Sequence, residues 1–236
     1  MNLILLEDAD FRSECEAVVA GRRAEHIRAV LKAEVGDRLR VGRLGALLGE
    51  GTVTRVDEAA VELSVSLTQQ PPPPLPVTLL LALPRPKVLR RLIQGVVTLG
   101  VKRIALFGAF RVEKSYWHTP WLAQPQLHEQ IILGLEQAGD TVPPVITTHP
   151  LFKPFFEDEV SAMTVGTRRL VADPDAVTLC PAGAAGPLSV VVGPEGGFTA
   201  YELGLLREQG FEPVSLGPRI LRTEQAIPAL IGRLLT

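Results

Sequence analysis

Two short apolar runs, each broken by Gly-Pro just before a helix-like segment, constrain this chain more than any other feature. The first, residues 190–197, reads Val-Val-Val-Gly-Pro-Glu-Gly-Gly; the second, residues 216–224, reads Leu-Gly-Pro-Arg-Ile-Leu-Arg-Thr-Glu. Residues 189–192 are short, β-branched and uncharged, as a buried strand requires. Gly193-Pro194 stops that strand, and Gly196-Gly197 leaves the backbone bare for close approach of a ligand. Thr199 and Glu202 form the Thr-x-x-Glu capping box that opens a helix. The second run repeats the pattern, with a strand at 213–216, a turn at Gly217-Pro218 and a C-terminal helix. Two neighbouring strand–loop–helix units of this kind place a ligand crevice at the carboxyl ends of the strands.

The 236 residues are enough for one large or two small domains, and 46% apolar content excludes disorder. A net charge of −2 excludes nucleic-acid binding through bulk charge. Local charge differs: residues 22–43 hold Arg22, Arg23, Arg28, Lys32, Arg38, Arg40 and Arg43 against Glu25, Glu34 and Asp37. A second basic knot is Arg85, Lys87, Arg90 and Arg91. Either group suits phosphates, and either suits a solvated face. Cys15 and Cys180 lack partners at metal or disulfide spacing, and His26, His118, His128 and His149 are scattered, so no metal site is expected. Early acidic residues exclude a signal peptide, and no apolar run reaches the ~20 residues that span a bilayer, so a cytoplasmic chain off the membrane is expected.

Proline punctuates the organisation. Residues 69–76 hold five prolines in eight positions and read as a stiff linker. Before it, residues 1–70 form a small strand-rich domain: a helix over 22–33 with Ile27, Val30 and Leu31 on one face, then strands at 38–41, 50–56 and 60–67. After it, residues 77–236 alternate strands (77–83, 103–107, 145–148, 169–172) with helices (87–99, 126–137, 151–160). The helix at 87–99 would bury Val88, Leu92, Val96 and Leu99. Such alternation predicts an α/β fold with a largely parallel sheet covered on both faces.

The glycine loops match neither G-x-G-x-x-G nor a P-loop. Glu195 serves either the positive end of the helix that follows or a crevice as general base. Arg222 is either an exposed partner of Glu224 or a guanidinium fork for an anion. Pro228 argues that the last helix starts near Gln225, leaving residues 222–224 in a loop. Tyr116, Trp117, Trp121 and Arg111 could stack on unpaired bases or pack as a structural loop.

At Gly-Pro-Glu-Gly-Gly-Phe-Thr (193–199) with Glu202, and at residues 216–224, the chain closely resembles the ribosomal RNA small-subunit uridine-N3 methyltransferases of the SPOUT superfamily. Weaker matches are Glu25-His26-Ile27, Gly36-Asp37, Leu99-Gly100-Val101 and Glu136-Gln137-Ala138. The resemblance implies a PUA-like barrel at the N-terminus and a C-terminal SPOUT sheet with a deep trefoil knot. It implies a homodimer that methylates N3 of uridine in 16S ribosomal RNA with S-adenosylmethionine. Carried over by position, the donor would meet Leu170 and Ala172; Gly193, Pro194, Glu195, Gly196 and Gly197; and Leu216, Gly217, Ile220, Leu221, Arg222 and Ala226. The chemistry of that transfer makes Glu195 the candidate proton acceptor and Arg222 the candidate for stabilising the developing imidate or holding the target phosphate, and the basic stretch with Arg22, Arg23, Arg28, Lys32, Arg38 and Arg40 would position RNA by backbone contacts.

The chain departs from the family pattern at Thr98, Asp140 and Gln225, and a lysine expected near Gln94-Gly95 is missing. Two other readings therefore stand beside the first: the same enzyme type with another RNA target, or an inactive RNA-binding homologue.

Overall fold

The structure is a computed structural model that describes residues 3–236; the first two residues of the expected N-terminal domain lie outside the described residues. The chain divides into two compact units. The first gathers the chain up to Pro73 together with Ile131–Pro143, and the second holds Pro74–Gln130 and Pro144–Thr236.

The first unit carries β1 (Ile4–Leu6), β2 (Phe11–Ser13), β3 (Glu16–Ala20), α1 (Gly21–Glu25), β4 (Arg38–Arg43), β5 (Leu48–Val56) and β6 (Ala60–Gln69). They form a six-stranded sheet in the order β1-β4-β5-β6-β3-β2. β1 runs parallel to β4, and the other pairs are antiparallel. Alternation drives the burial: Val61, Leu63 and Val65 point inward while Glu62, Ser64 and Ser66 do not. Their side chains join Ile4, Val19, Ile27, Val41 and Val53 in one core. Gly49 permits the closest strand approach, because a Cβ there would stand 1.9 Å from the Ser66 carbonyl oxygen.

The helix expected over 22–33 is shorter and differently wound. α1 ends at Glu25, and residues 26–31 continue with π-helical spacing up to Lys32, whose φ is +51°. The wider turn rotates the apolar stripe, so Ile27 is buried while Val30 and Leu31 are 65% and 42% exposed.

In the second unit β7 (Val77–Ala82), α2 (Pro86–Thr98), β8 (Arg103–Phe107) and α3 (Gln124–Ala138) lead to β9 (Val145–His149). The end of α3, from Ile131, belongs to the first unit. α4 (Phe152–Pro154) and α5 (Val160–Met163) flank a π turn and precede β10 (Arg168–Ala172) and β11 (Leu188–Val192). α6 (Ala200–Glu208), β12 (Glu212–Val214) and α7 (Thr223–Leu235) close the chain. The sheet order is β12-β10-β11-β7-β8-β9, all parallel, with Val190 opposite Leu79 and Leu170. β7 and β11 are buried at every position, as two-sided cover requires. The chain steps outward from β7 through β9, then returns to lay β11 against β7. That reversal marks a topological switch, and ligands bind at the carboxyl edge beside one.

The apolar face of α2 is Leu89, Leu92, Ile93, Val96 and Val97; of the four residues expected there Leu92 and Val96 lie on it, while Val88 and Leu99 are half-buried. Under the carboxyl ends of β8 and β9, Phe107 meets Phe156 at 5.1 Å and Phe155 meets Phe156 at 4.9 Å. Edge-on contacts of this kind fix the rings as well as burying them.

Within the first unit, the buried Glu136 carboxylate pairs with the Arg22 guanidinium at 2.8 Å. Burial pushes the Glu136 carboxyl above its usual 4.5, and Arg22 opposes that shift without cancelling it. The folded state therefore holds this proton to higher pH than the unfolded chain does. The stability that proton uptake confers is present below the unfolded pKa and is lost as pH rises through the raised folded pKa. Urea unfolding followed as pH rises from about 4 to 8 is expected to show wild type losing stability relative to Glu136→Gln, which carries no proton to lose.

Candidate functional site

The carboxyl edge of the parallel sheet is built from loops tied to one another. After β11 the 193–197 loop turns on itself, with the Gly197 N–H donating to the Pro194 carbonyl at 2.8 Å and Gly197 at φ +75°. A Cβ on Gly193 would meet the Phe198 ring at 2.8 Å. A Cβ on Gly196 would meet Arg111 Cδ at 3.0 Å, so the space beside Gly196 belongs to Arg111, whose guanidinium donates to the Gly196 carbonyl.

The capping box forms as the sequence predicts: Thr199 Oγ1 accepts from the Glu202 N–H at 3.2 Å, and Glu202 Oε2 accepts from the Thr199 N–H at 2.8 Å. Glu202 does more than cap. Its other oxygen accepts the Phe110 N–H at 2.7 Å, and the residue is only 3% exposed. It thus joins the start of α6 to the turn after β8. Glu195 is exposed, and its Oε1 accepts the Arg85 N–H at 3.3 Å. Arg85 is the N-cap of α2, so the carboxylate serves the positive end of that helix rather than of the helix that follows it in sequence.

The second loop, 215–222, leads directly into α7. That helix starts at Thr223 with Arg222 as its N-cap, not near Gln225 as Pro228 suggests. The Arg222 carbonyl accepts from the Gln225 and Ala226 N–H groups at 2.9 and 2.8 Å. Pro228 lies in the helix, where its ring forfeits a single hydrogen bond to Glu224, and buried Ile227, Leu230, Ile231 and Leu234 outweigh that loss. Gly217 sits at φ +109°, and a Cβ there would meet nothing within 4 Å. Ala172, Asp173, Leu216, Gly217, Arg219, Leu221, Ala226 and Leu230 line a cleft at the ends of β10 and β12.

Of the residues singled out as donor contacts, Ala172, Leu216, Gly217, Leu221 and Ala226 come together in that cleft. Leu170 is buried within β10. The 193–197 loop follows the neighbouring strand β11 and is not among the cleft's lining residues; nor are Ile220 and Arg222, both exposed. Sequence reasoning missed the joint role of Phe110 and Glu202, and the packing of Arg111 on Gly196. The Thr-x-x-Glu pattern marked Glu202, but nothing local pairs it with a residue 92 positions away.

The basic residues of the first unit have varied roles. Arg23 grips Asp10 with both nitrogens, at 2.5 and 2.8 Å, and the Leu5 carbonyl at 2.7 Å. Arg28 donates to the Asp57 carbonyl at 2.6 Å and to that of Glu58. Arg40 reaches the Gly139 carbonyl at 3.5 Å, and Arg22 pairs with Glu136. Arg38 and Lys32 are exposed, Arg38 in a loose 3.3 Å pair with Glu50. In the second unit Arg90 lies over the Trp121 ring at 5.2 Å, and Tyr116 bonds Glu113 at 3.1 Å. His149 stacks on Phe155 at 4.1 Å and pairs with Glu159 at 3.0 Å. Among the described residues no group of three or more His, Cys, Asp or Glu could hold a metal ion, and no helix is long and apolar enough to cross a membrane.

Because Glu202 satisfies three donors while buried, Glu202→Ala is expected to lower the unfolding free energy by about 1–3 kcal/mol in urea titration, where an exposed cap would cost about 1.

Residues 71–235 match the RNA methyltransferase domain family. A ribosomal RNA small subunit methyltransferase E of Treponema pallidum (strain Nichols) is 30% identical over 233 residues, 96% of this chain and 87% of that protein. A ribosomal RNA small subunit methyltransferase E 1 of Borreliella burgdorferi is 24% identical over 226 residues, 96% of this chain and 94% of that protein. Among solved structures, a ribosomal RNA small subunit methyltransferase E from Neisseria gonorrhoeae bound to S-adenosyl methionine superposes with a TM-score of 0.74 at 21% identity, covering 98% of this chain and 95% of that one. A probable rRNA-methyltransferase from Porphyromonas gingivalis gives 0.72 at 22%, covering 98% and 94%.

Proposed function

The chain belongs to the ribosomal RNA small subunit methyltransferase E family, and from that premise we propose that it methylates N3 of a uridine in 16S ribosomal RNA, with S-adenosylmethionine as donor. The observation that carries this reading is the cleft at the carboxyl ends of β10 and β12, on the edge of the parallel sheet where ligands bind in such folds. Its walls suit the donor. Leu216, Leu221 and Leu230 offer an apolar flank for a purine, Ala226 is small, and the open space over Gly217 would be filled by any side chain placed there.

When bound, S-adenosylmethionine supplies an electrophilic methyl group on a sulfonium. The rest falls to the chain. Uridine N3 is an imide nitrogen whose lone pair is free only once its proton has gone. The Glu195 carboxylate, fixed through one oxygen by the Arg85 N–H, takes that proton on the other. To Arg222, exposed at the N-cap of α7, falls the stabilisation of the negative charge that develops on the base. Holding base and donor in line is worth up to roughly 7–11 kcal/mol of the barrier. None of the departures at Thr98, Asp140 and Gln225 lines the cleft, which favours activity over an inactive homologue.

The same proposal includes the trefoil knot, the PUA-like domain, the homodimer and the cytoplasm as compartment. The long connection between β10 and β11 supports the knot: the Gly183 and Ala184 N–H groups donate to the Arg233 and Leu234 carbonyls at 3.1 and 2.7 Å, tying the end of α7 to that connection. The mixed six-stranded sheet of residues 4–69 supports a PUA-like RNA-binding domain, in which exposed Arg38 and Lys32 contact phosphates most directly. Ile220, 86% exposed beside Arg222, supports a subunit contact that completes the site.

Ala226→Phe tests the cleft without straining the backbone, because Ala226 stands in α7 with its side chain on the cleft. Calorimetric affinity for S-adenosylmethionine is expected to fall at least about tenfold with the thermal midpoint little changed. Undiminished affinity would place the donor elsewhere.

A further inference from the structure

Resting on that reading of the cleft, we propose that Phe110 is the platform on which the target uracil stacks once it has left its helix or loop. Phe110 occupies the turn after β8, at the carboxyl edge of the same sheet, and the residue is 82% exposed. The backbone that carries the ring is pinned. The Val112 N–H closes the turn on the Ala109 carbonyl at 2.9 Å. The Phe110 N–H is held by buried Glu202 at 2.7 Å. The next residue, Arg111, donates to the Gly196 carbonyl and packs where a Gly196 side chain would stand. The turn is therefore fastened to the 193–197 loop and to the start of α6 at once.

A phenyl ring left in water on a fixed backbone mount suits a binding surface, since only the side chain's own rotamers are left to order when it is covered. The reaction says what covers it. Watson–Crick pairing engages uridine N3, so the base must be presented unpaired, with a new stacking partner in place of its neighbours. A neutral ring stacks on any base face, whereas selection of uracil falls to polar groups. Phe110 is thus a positioning residue for the RNA, independent of the donor.

The test compares wild type, Phe110→Ala and Phe110→Tyr in steady-state methylation of small-subunit RNA. It adds calorimetry with S-adenosylmethionine and sedimentation for subunit mass. Phe110→Ala is expected to lower kcat/KM for RNA about tenfold or more, with donor affinity, thermal midpoint and mass unchanged, and Phe110→Tyr to restore most of the loss. Unchanged kcat/KM in Phe110→Ala would overturn the proposal. So would an equal loss of donor affinity, or a change in mass that marks the ring as a subunit contact. If wild type itself transfers no methyl group, the functional reading fails separately, and affinity for a uridine-containing single strand decides: weaker binding by Phe110→Ala sustains the platform, and equal binding removes it.

Discussion

Buried Glu202 organises the carboxyl edge of the parallel sheet. With two oxygens it satisfies the Thr199 N–H and hydroxyl and the Phe110 N–H, joining the start of α6 to the turn after β8. A buried carboxylate persists only where donors surround it. Once they do, the segments that supply them cannot move independently. Arg111 extends the same fastening to the Gly196 carbonyl, and Glu195 extends it to the N-terminus of α2. The 193–197 loop is therefore held in place by two contacts with distant parts of the unit.

That rigidity explains the division of labour among the glycines. Gly193 and Gly196 are small because protein side chains, Phe198 and Arg111, press against them. Gly217, in the left-handed region with nothing near its missing Cβ, is small where the cleft is open. The first loop is a fixed frame that presents Glu195, and the second lines the cleft. A site built on strand ends and a helix start holds its groups more closely than one on free loops.

Much of this was legible in the sequence, for identifiable reasons. β7 and β11 read as uncharged apolar runs because they are covered on both faces, and Thr199 with Glu202 read as a helix start because the capping box is local. Three features misled. Pro228 suggested a late start for α7, but in a helix with so well buried a face the lost hydrogen bond of an interior proline is outweighed. Val30 and Leu31 suggested a buried face, but π spacing turned them outward. The arginines of residues 22–43 read alike, yet Arg23 is committed to Asp10 and Leu5 while Arg38 is exposed. The contacts of Phe110 and Arg111 span 92 and 85 positions and leave no periodic trace.

The reaction itself is tested most directly by nucleoside mass spectrometry of 16S ribosomal RNA from cells with and without the gene. Loss of 3-methyluridine in the deletion, restored by the wild-type copy, is the expected result. An unchanged 3-methyluridine content in the deletion would contradict the assignment of uridine N3 as the site of methyl transfer.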